Sequence, residues 1–162
     1  MLPLPSSTTA VVDALERAPE VVVPLVREAA PDVLTRRPAA GRWSIHEHAC
    51  HLAHVHGLFF DRLDAMLASP EPAFTPYLPG DADPDDLLLR MDLAGSLDRF
   101  VSDRARLVAR LRTLSPSDWA RPARHPEYAR YSVFILFRHA ALHDFLHAYR
   151  IEELVLRPDW SA

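Results

Sequence analysis

Nine histidines are the residues of this 162-residue chain best suited to chemistry, and eight of them fall in two clusters. One cluster lies between residues 46 and 56, the other between residues 139 and 147. Neutral imidazole nitrogens bind divalent metal ions, and two histidines four residues apart in a helix lie one above the other. His143 and His147 have this spacing, so they are the first candidate ligands of a metal ion.

The helical phase of the second cluster places His143, Asp144 and His147 on the apolar face of their segment. Two buried imidazoles need polar partners there, and a bound ion would supply one. The competing interpretation is a pair of core histidines hydrogen-bonded to the backbone or to each other. It would be preferred for an isolated pair, but a second group of histidines favours the metal site.

In the first cluster, His56 lies on the apolar line of its segment, His48 lies beside that line and His51 lies at its margin. His46 and His54 point away from the line and are expected to be solvated. Periodicity alone does not choose the third ligand among His48, His51 and His56.

The placement of fifteen prolines predicts where the helices run. Proline removes a helical hydrogen bond and clashes with the preceding turn, so long helices are expected where it is absent. Three windows lack proline, and a first amphipathic segment contains Pro19 and Pro24, which should kink or divide it. The pattern predicts an all-α four-helix bundle with helices near 8–30, 44–68, 84–114 and 132–156.

Capping signals support three of these helices. Ser44 and Glu47 form the pattern of a capping box, Asp83 precedes a proline, and Ser132 is a candidate cap. The proline-rich connection 69–83 is long enough to span the bundle, so the second and third helices are expected to run parallel, joined by a crossover.

Composition excludes several classes of protein. The net charge of −4 gives no long-range attraction to nucleic acid or to an anionic membrane, so neither is an expected partner. No segment has the roughly 20 apolar residues of a membrane helix, and the single cysteine forms no intrachain disulfide. The first residues lack the basic and apolar regions of a signal peptide, which predicts a cytoplasmic protein.

Three segments together carry a resemblance to the DinB-like family. The first has a tryptophan–serine–glutamate pattern and then a histidine followed by leucine, in Trp43-Ser44-Ile45-His46-Glu47-His48-Ala49-Cys50-His51-Leu52. The second has the His-x-x-x-His pair and a later apolar residue, in His143-Asp144-Phe145-Leu146-His147 with Ile151. The third is the approach to the last helix, which begins with His-Pro, in His125-Pro126-Glu127-Tyr128.

This resemblance implies a single DinB-like domain over residues 1–162, folded as an up-down-down-up four-helix bundle with a long crossover between helices 2 and 3. By position in the family motifs, the metal ligands are expected to be His51, His143 and His147. Since the family includes thiol-dependent S-transferases, the resemblance implies that one divalent ion, zinc or nickel first, activates a low-molecular-weight thiol for transfer to a small electrophile. Three histidines leave a coordination position open, as catalytic metal sites do.

Three other residues are candidate neighbours of the metal or the substrate. Arg150 lies one turn beyond the last ligand and could bind a carboxylate of the thiol, or form a salt bridge with an acid instead. Asp144 could orient a ligand histidine or pair with an arginine in the core. Glu47 lies one turn before the family's ligand position, although its capping role already explains it.

The remaining signals concern the surroundings of the site. Phe74 and Tyr77, in the crossover, could cover a pocket or plug one end of the bundle. Cys50 points away from the apolar line, so it is expected to pack, and any reactive thiol would come from outside the chain. A second apolar stripe on the last helix predicts a homodimer surface, unless that helix is buried on both sides; its members are Ile135, Leu142, Leu146 and Tyr149.

Other functions are alternatives. A metal-dependent hydrolase would use water at the open position, and a zincin protease would need Asp144 as its base, one methylene shorter than the usual glutamate. A di-iron carboxylate bundle needs Glu-x-x-His pairs, which the sequence lacks. A non-catalytic, stress-related helical protein that binds metal or a partner is the alternative outside enzymology.

Overall fold

A computed structural model describes residues 5–78 and 86–157, and the regular elements in these ranges are helices accompanied only by isolated β-bridges. The all-α prediction is therefore confirmed. The helices are α1 (Pro5–Glu28), α2 (Ile45–His54), α3 (His56–Ala68), α4 (Leu87–Arg90), α5 (Leu93–Leu111), α6 (Pro116–Trp119) and α7 (Val133–Leu156).

Four long rods form the bundle: α1, α2 continued by α3, α5, and α7. Side-chain contacts show their directions. His56 and Asp64 on α3 contact Arg104 and Arg110 on α5. His48 on α2 contacts His147 on α7, and Arg62 on α3 contacts Tyr131, two residues before α7 begins. In the first two pairs the residue numbers rise together along both helices, so α3 and α5 run parallel. In the other two pairs the residue number rises along α2–α3 while it falls on the α7 side, so α7 is antiparallel to α2–α3. α1 runs parallel to α7, because Val12 shares one core cluster with Val133 and Val22 shares the other with Ile151. This is the predicted up-down-down-up order.

α1 contains Pro19 and Pro24 and still runs as one helix, so the prolines do not divide it. Pro19 has no N–H group, and the carbonyl of Leu15, four residues earlier, therefore lacks its helical donor. The guanidinium of Arg104 on α5 donates to this carbonyl over 2.9 Å. The proline thus leaves an acceptor inside the bundle that a buried arginine uses.

The second rod begins where its capping box indicates. Ser44 accepts a hydrogen bond from the N–H of Glu47, whose carboxylate accepts one from the N–H of Ser44 over 2.8 Å. Val55 lies between α2 and α3, two residues before Gly57. His46 is buried, so the expectation that it is solvated was wrong; its backbone N–H donates to the Leu34 carbonyl, which brings the preceding loop against this end of α2.

The third rod begins later than the sequence predicted. From residue 86 onward, the predicted helix 84–114 consists of the single turn α4, an extended Met91, and then α5. Asp92 caps α5 through a 2.6 Å hydrogen bond from the N–H of Gly95. The predicted cap Asp83 lies outside the described residues. Asp92 was missed because glycine, rather than glutamate, stands three residues later and completes no capping box. The cap of the fourth rod, Ser132, is where it was predicted.

The described part of the crossover is tied to the segment before α7. Two backbone hydrogen bonds, of 2.9 and 2.8 Å, join residues 72–74 to Arg124. Arg62 on α3 donates to a carbonyl of the same loop over 2.8 Å. These bonds place the ring of Tyr77 over that of His51, with centroids 6.2 Å apart.

One face of α7 is both apolar and exposed. Leu142, Leu146 and Tyr149 are 66%, 53% and 60% exposed, so this helix is not buried on both sides within the chain. Ile135 packs against the core, which makes the stripe shorter than predicted. No helix in the described ranges is long and apolar enough to cross a bilayer.

We expect the protein to form a homodimer through this face, because exposed apolar side chains of this size are stabilised by burial. Leu146→Glu should shift the dimer to monomer, since it places a charge in the apolar contact. Light scattering at high micromolar concentration measures the change, with Asp98→Lys, an exposed position on α5, as the control. A wild-type protein that is monomeric throughout would contradict the prediction.

Candidate metal centre

Three histidine nitrogens converge between α2 and α7. Nε2 of His143 lies 3.0 Å from Nε2 of His51 and 3.0 Å from Nε2 of His147. All three ligand atoms lie within 4.8 Å of one another, and no other histidine, cysteine or acid in residues 5–78 and 86–157 joins a group of this kind. Of the three candidates that periodicity left open, the bundle brings His51 to the pair on α7.

The spacing of these nitrogens fits a divalent ion. Ligands about 2.05 Å from a tetrahedral zinc lie about 3.3 Å from one another, close to the observed 3.0 Å. Three imidazoles are also a donor set that zinc, nickel, copper and iron all accept. The three nitrogens could therefore hold one ion with a coordination position to spare.

Burial keeps two of these histidines, His51 and His147, neutral. His51 is 1% exposed and His147 is 8% exposed. Burial, reinforced by the neighbouring His143, lowers the pKa of His51 to about 3, and the same causes lower the pKa of His147 well below its ordinary range. Because a protonated imidazole has no lone pair for a metal, the lowered pKa values keep both side chains ready to bind an ion at neutral pH.

His48 orients one of the three. Its Nδ1 lies 2.7 Å from Nδ1 of His147, the ring nitrogen that faces away from the cluster. When Nε2 of His147 binds an ion, its proton is on Nδ1 and is donated to His48. Burial lowers the pKa of His48 to about 4, so His48 is a neutral acceptor. Metal-binding histidines usually have such a partner, and His48 occupies that position rather than a ligand position.

Aromatic rings enclose the cluster from two sides. The ring of Trp43, just before α2, lies 4.8 Å from that of His51 and stacks on that of His147 at 5.9 Å. Tyr77 covers His51 from the crossover, whereas Phe74 packs beside Tyr131 instead. Sequence reasoning used Trp43 only as part of a motif; its position next to the capping box, which sets it over the first turn of α2, could have identified it.

Asp144 pairs with Arg104 in the core. Their side chains are 0% and 1% exposed, and Arg104 also donates from Nε to Nε2 of His56 over 3.2 Å. His56 in turn donates from Nδ1 to the Leu52 carbonyl over 2.9 Å. Oδ1 of Asp144 is 4.0 Å from Nδ1 of His143, too far for a hydrogen bond. Asp144 therefore pairs with an arginine in the core rather than orienting a ligand histidine, and His56 belongs to the same hydrogen-bond network.

Glu47 and Arg150 are held by other partners. The buried carboxylate of Glu47 accepts from Arg37, with distances to Nε of 3.1 and 3.0 Å. Burial acts to raise the pKa of Glu47, but the hydrogen bonds and charge of Arg37 and the N-cap serine lower it overall, so Glu47 is anionic. Arg150 donates to Glu153 over 2.7 Å and borders, with Arg42, a separate cleft of about 200 Å³. Neither side chain thus reaches the three nitrogens, although the cleft beside Arg150 is also lined by Trp43 and His48.

Cys50 has the packing role that the sequence predicted. Its side chain is buried and hydrogen-bonded to Ser96, and burial raises the pKa of the thiol above its ordinary value. A buried, protonated thiol is a poor nucleophile.

Purified protein should contain about one divalent ion per chain, and replacing any one of His51, His143 and His147 by alanine should remove it. His48→Ala should keep the site but weaken binding about 10- to 100-fold, because it removes the partner of a ligand. Elemental analysis and competition with a chelator measure both effects. His54→Ala, also on α2 but outside the cluster, should load fully; full loading of His51→Ala would contradict the ligand assignment.

Replacing either partner of the buried ion pair should destabilise the fold strongly. Arg104→Met or Asp144→Leu leaves a buried charge uncompensated, which costs about 3–5 kcal/mol, whereas the double variant should lose less than the sum of the two. Urea denaturation measures the free energy of unfolding. Arg110→Gln, which breaks an exposed pair with Asp64, should have a much smaller effect; equal losses would show that the buried pair has no special role.

Comparisons with known proteins agree with this fold. A protein of Oceanobacillus iheyensis named "Putative metal-dependent hydrolase OB0782" is 27% identical over 150 residues, which cover 92% of this chain and 86% of that protein. YfiT from Bacillus subtilis, described as "a probable metal-dependent hydrolase with an unusual four-helix bundle topology", superposes with a TM-score of 0.87 at 24% identity, covering 98% of this chain and 91% of that one. At that identity the structural match speaks for the fold alone. The model of the DinB superfamily matches residues 14–151. The chain therefore belongs to the DinB superfamily.

Proposed function

We propose that this protein is a metal-dependent enzyme in which His51, His143 and His147 hold one divalent ion and a low-molecular-weight thiol is transferred to a small electrophile. The observation that carries the proposal is the convergence of three Nε2 atoms from two helices, with 3.0 Å between neighbours. Three neutral ligands leave the ion its full charge and an open position. An ion bound there would lower the pKa of a thiol or a water, and so supply a nucleophile near neutral pH.

The acids near the site favour a thiol over water. Hydrolysis of an ester or amide with a basic leaving group is faster when a nearby group returns a proton to the leaving atom, and in a metal site a carboxylate can do this. Asp144 is paired with Arg104, and Glu47 is paired with Arg37. In the described ranges no carboxylate joins the three nitrogens. Sulfur transfer requires only that the thiol lose its proton, so it needs no such group. The pairing of Asp144 also weighs against a zincin protease.

The thiol must come from outside the chain, because Cys50 is buried and hydrogen-bonded to Ser96 on α5. His143 is the ligand best placed to meet it: its side chain is 19% exposed, against 1% for the whole of His51, and it borders a cleft. Trp43 and Tyr77 cover the other faces and limit access of water to the site.

Metal-dependent hydrolysis is the second candidate. It is favoured by the names of the Oceanobacillus and Bacillus proteins, both of which refer to a metal-dependent hydrolase. The same three histidines and the same open position would serve it. A metal-binding protein without turnover is the third candidate and would need the site only for affinity.

Metal-loaded protein should accelerate the reaction of cysteine, used as the thiol, with a chromogenic chloronitrobenzene. His143→Ala should lower the rate about 100-fold or to the uncatalysed level, because the nucleophile is no longer activated, whereas His54→Ala should retain it. Equal rates for wild type and His143→Ala would exclude the transferase.

A parallel assay with 4-nitrophenyl acetate and no thiol separates the other candidates. Thiol-independent hydrolysis that is lost in His143→Ala would assign the hydrolase. Full metal loading with neither activity would assign the non-catalytic protein.

A further inference from the structure

A cleft of about 100 Å³ opens beside the candidate metal centre. We call it the His143 cleft, and the side chains used below that border it are His143, Arg62, Tyr77, Tyr128, Tyr131 and His139. One of the three candidate metal ligands, His143, borders this cleft. A molecule that reaches the open coordination position of the ion from this side would therefore occupy the cleft. Cavities of about 150 Å³ bind a single benzene ring, and this partly open cleft is of the same order.

Arg62 brings a buried positive charge to this cleft. Its side chain is 9% exposed, and it donates to the hydroxyl of Tyr131 over 3.0 Å and to the Thr75 carbonyl over 2.8 Å. Its guanidinium also lies 5.1 Å from the ring centre of Phe74. None of these partners is negative, and no acid among residues 5–78 and 86–157 is within ion-pair distance of it. Glu127 borders the cleft but is exposed and forms no such pair.

A guanidinium this buried is normally matched by a carboxylate. Arg104, the other deeply buried arginine, has Asp144 as its partner. Arg62 differs in lying on the wall of a cleft, where a ligand can supply the missing charge.

Tyr131 adds a directed donor beside it. The hydroxyl oxygen of Tyr131 accepts from Arg62, so its own hydrogen is left for another acceptor. Burial raises the pKa of Tyr131 above its ordinary value, and the hydroxyl stays protonated at neutral pH. Arg62 and Tyr131 together match the two oxygens of a carboxylate.

The rest of the wall is aromatic. The rings of Tyr128 and Tyr131 are parallel within 5°, with centroids 5.9 Å apart, and His125 packs against both at 4.6 and 5.0 Å. Tyr128 also lies 6.0 Å from His139, and Tyr77 borders the opposite side toward His51. Flat faces of this kind favour a flat ligand.

We infer that the His143 cleft binds the electrophile of the reaction, and that this electrophile is a small planar carboxylate anchored by Arg62 and Tyr131. The assignment of the ligand as electrophile rests on the proposed function; the carboxylate site itself rests on the cleft. Arg62 and Tyr131 determine specificity for the negative charge, and the tyrosine rings determine it for the planar part.

Benzoate and benzamide test the charge requirement, because they share size and shape and differ in charge. Calorimetry on metal-loaded protein should show benzoate binding about tenfold or more tightly than benzamide, as expected for charge-assisted hydrogen bonds. Arg62→Gln should bring the ratio close to one. Tyr131→Phe, which leaves the charge in place, should weaken benzoate binding several-fold. Arg150→Gln, in the separate cleft, is the matched control and should keep the wild-type ratio.

Three results would overturn the inference. Equal affinities in wild type would show that the cleft has no preference for a carboxylate. A ratio that survives in folded Arg62→Gln but disappears when a chelator removes the ion would place the benzoate on the metal. A ratio lost in Arg150→Gln instead would place it in the other cleft. If Arg62→Gln does not fold, judged by its melting transition and metal content, Tyr131→Phe decides.

The outcome is separable from that of the proposed function. A ratio that depends on Arg62 in a protein with no thiol-transfer activity would keep the carboxylate site and remove the transferase. Transfer activity with no preference between benzoate and benzamide would keep the transferase and remove the carboxylate site.

Discussion

The buried guanidinium of Arg104 is the interaction on which the arrangement of the four long helices depends. It extends from α5 and contacts the other three rods: the carbonyl of Leu15 on α1, the ring of His56 on α3 and the carboxylate of Asp144 on α7. A buried charge is costly unless its partners are all in place, so these contacts define how the helices are rotated and offset. Since Asp144 is next to His143, holding its carboxylate also fixes the rotation of α7 that turns His143 toward α2.

The bundle thus separates two uses of charge within one turn of α7. Asp144 forms an ion pair with Arg104, whereas burial lowers the pKa of His147, one turn further along α7, well below its ordinary range, and lowers that of its neighbour His51 to about 3. Glu47 and Asp144 are paired with arginines, and in the described part of the chain no carboxylate joins the three nitrogens to offset the charge of an ion there. On the open side, Arg62 adds a further positive charge. An anionic reactant is therefore favoured over a cationic one at this centre.

Local signals predicted most of the helices, because capping and proline effects act over a few residues. The capping box of Ser44 and Glu47 and the cap at Ser132 were correct for this reason. Pro19 was misjudged because the cost of its missing hydrogen bond depends on what else can reach the free carbonyl, and that donor is about ninety residues away. Asp144 had two interpretations in the sequence, since its neighbours along the chain are the same whether it serves a histidine or an arginine.

The sequence by itself predicted the helical bundle and the inward-facing His143–His147 pair, and its family motifs predicted His51 as the third ligand. These depend on periodicity, proline placement and spacing within one helix, which the chain carries locally. Only the tertiary structure decided that His48 supports His147, that Asp144 and His56 belong to Arg104, and that Arg62 faces a cleft without an acidic partner among the described residues. Such partnerships join residues far apart in the chain, and they exist only once packing has set the rotation of each helix against its neighbours.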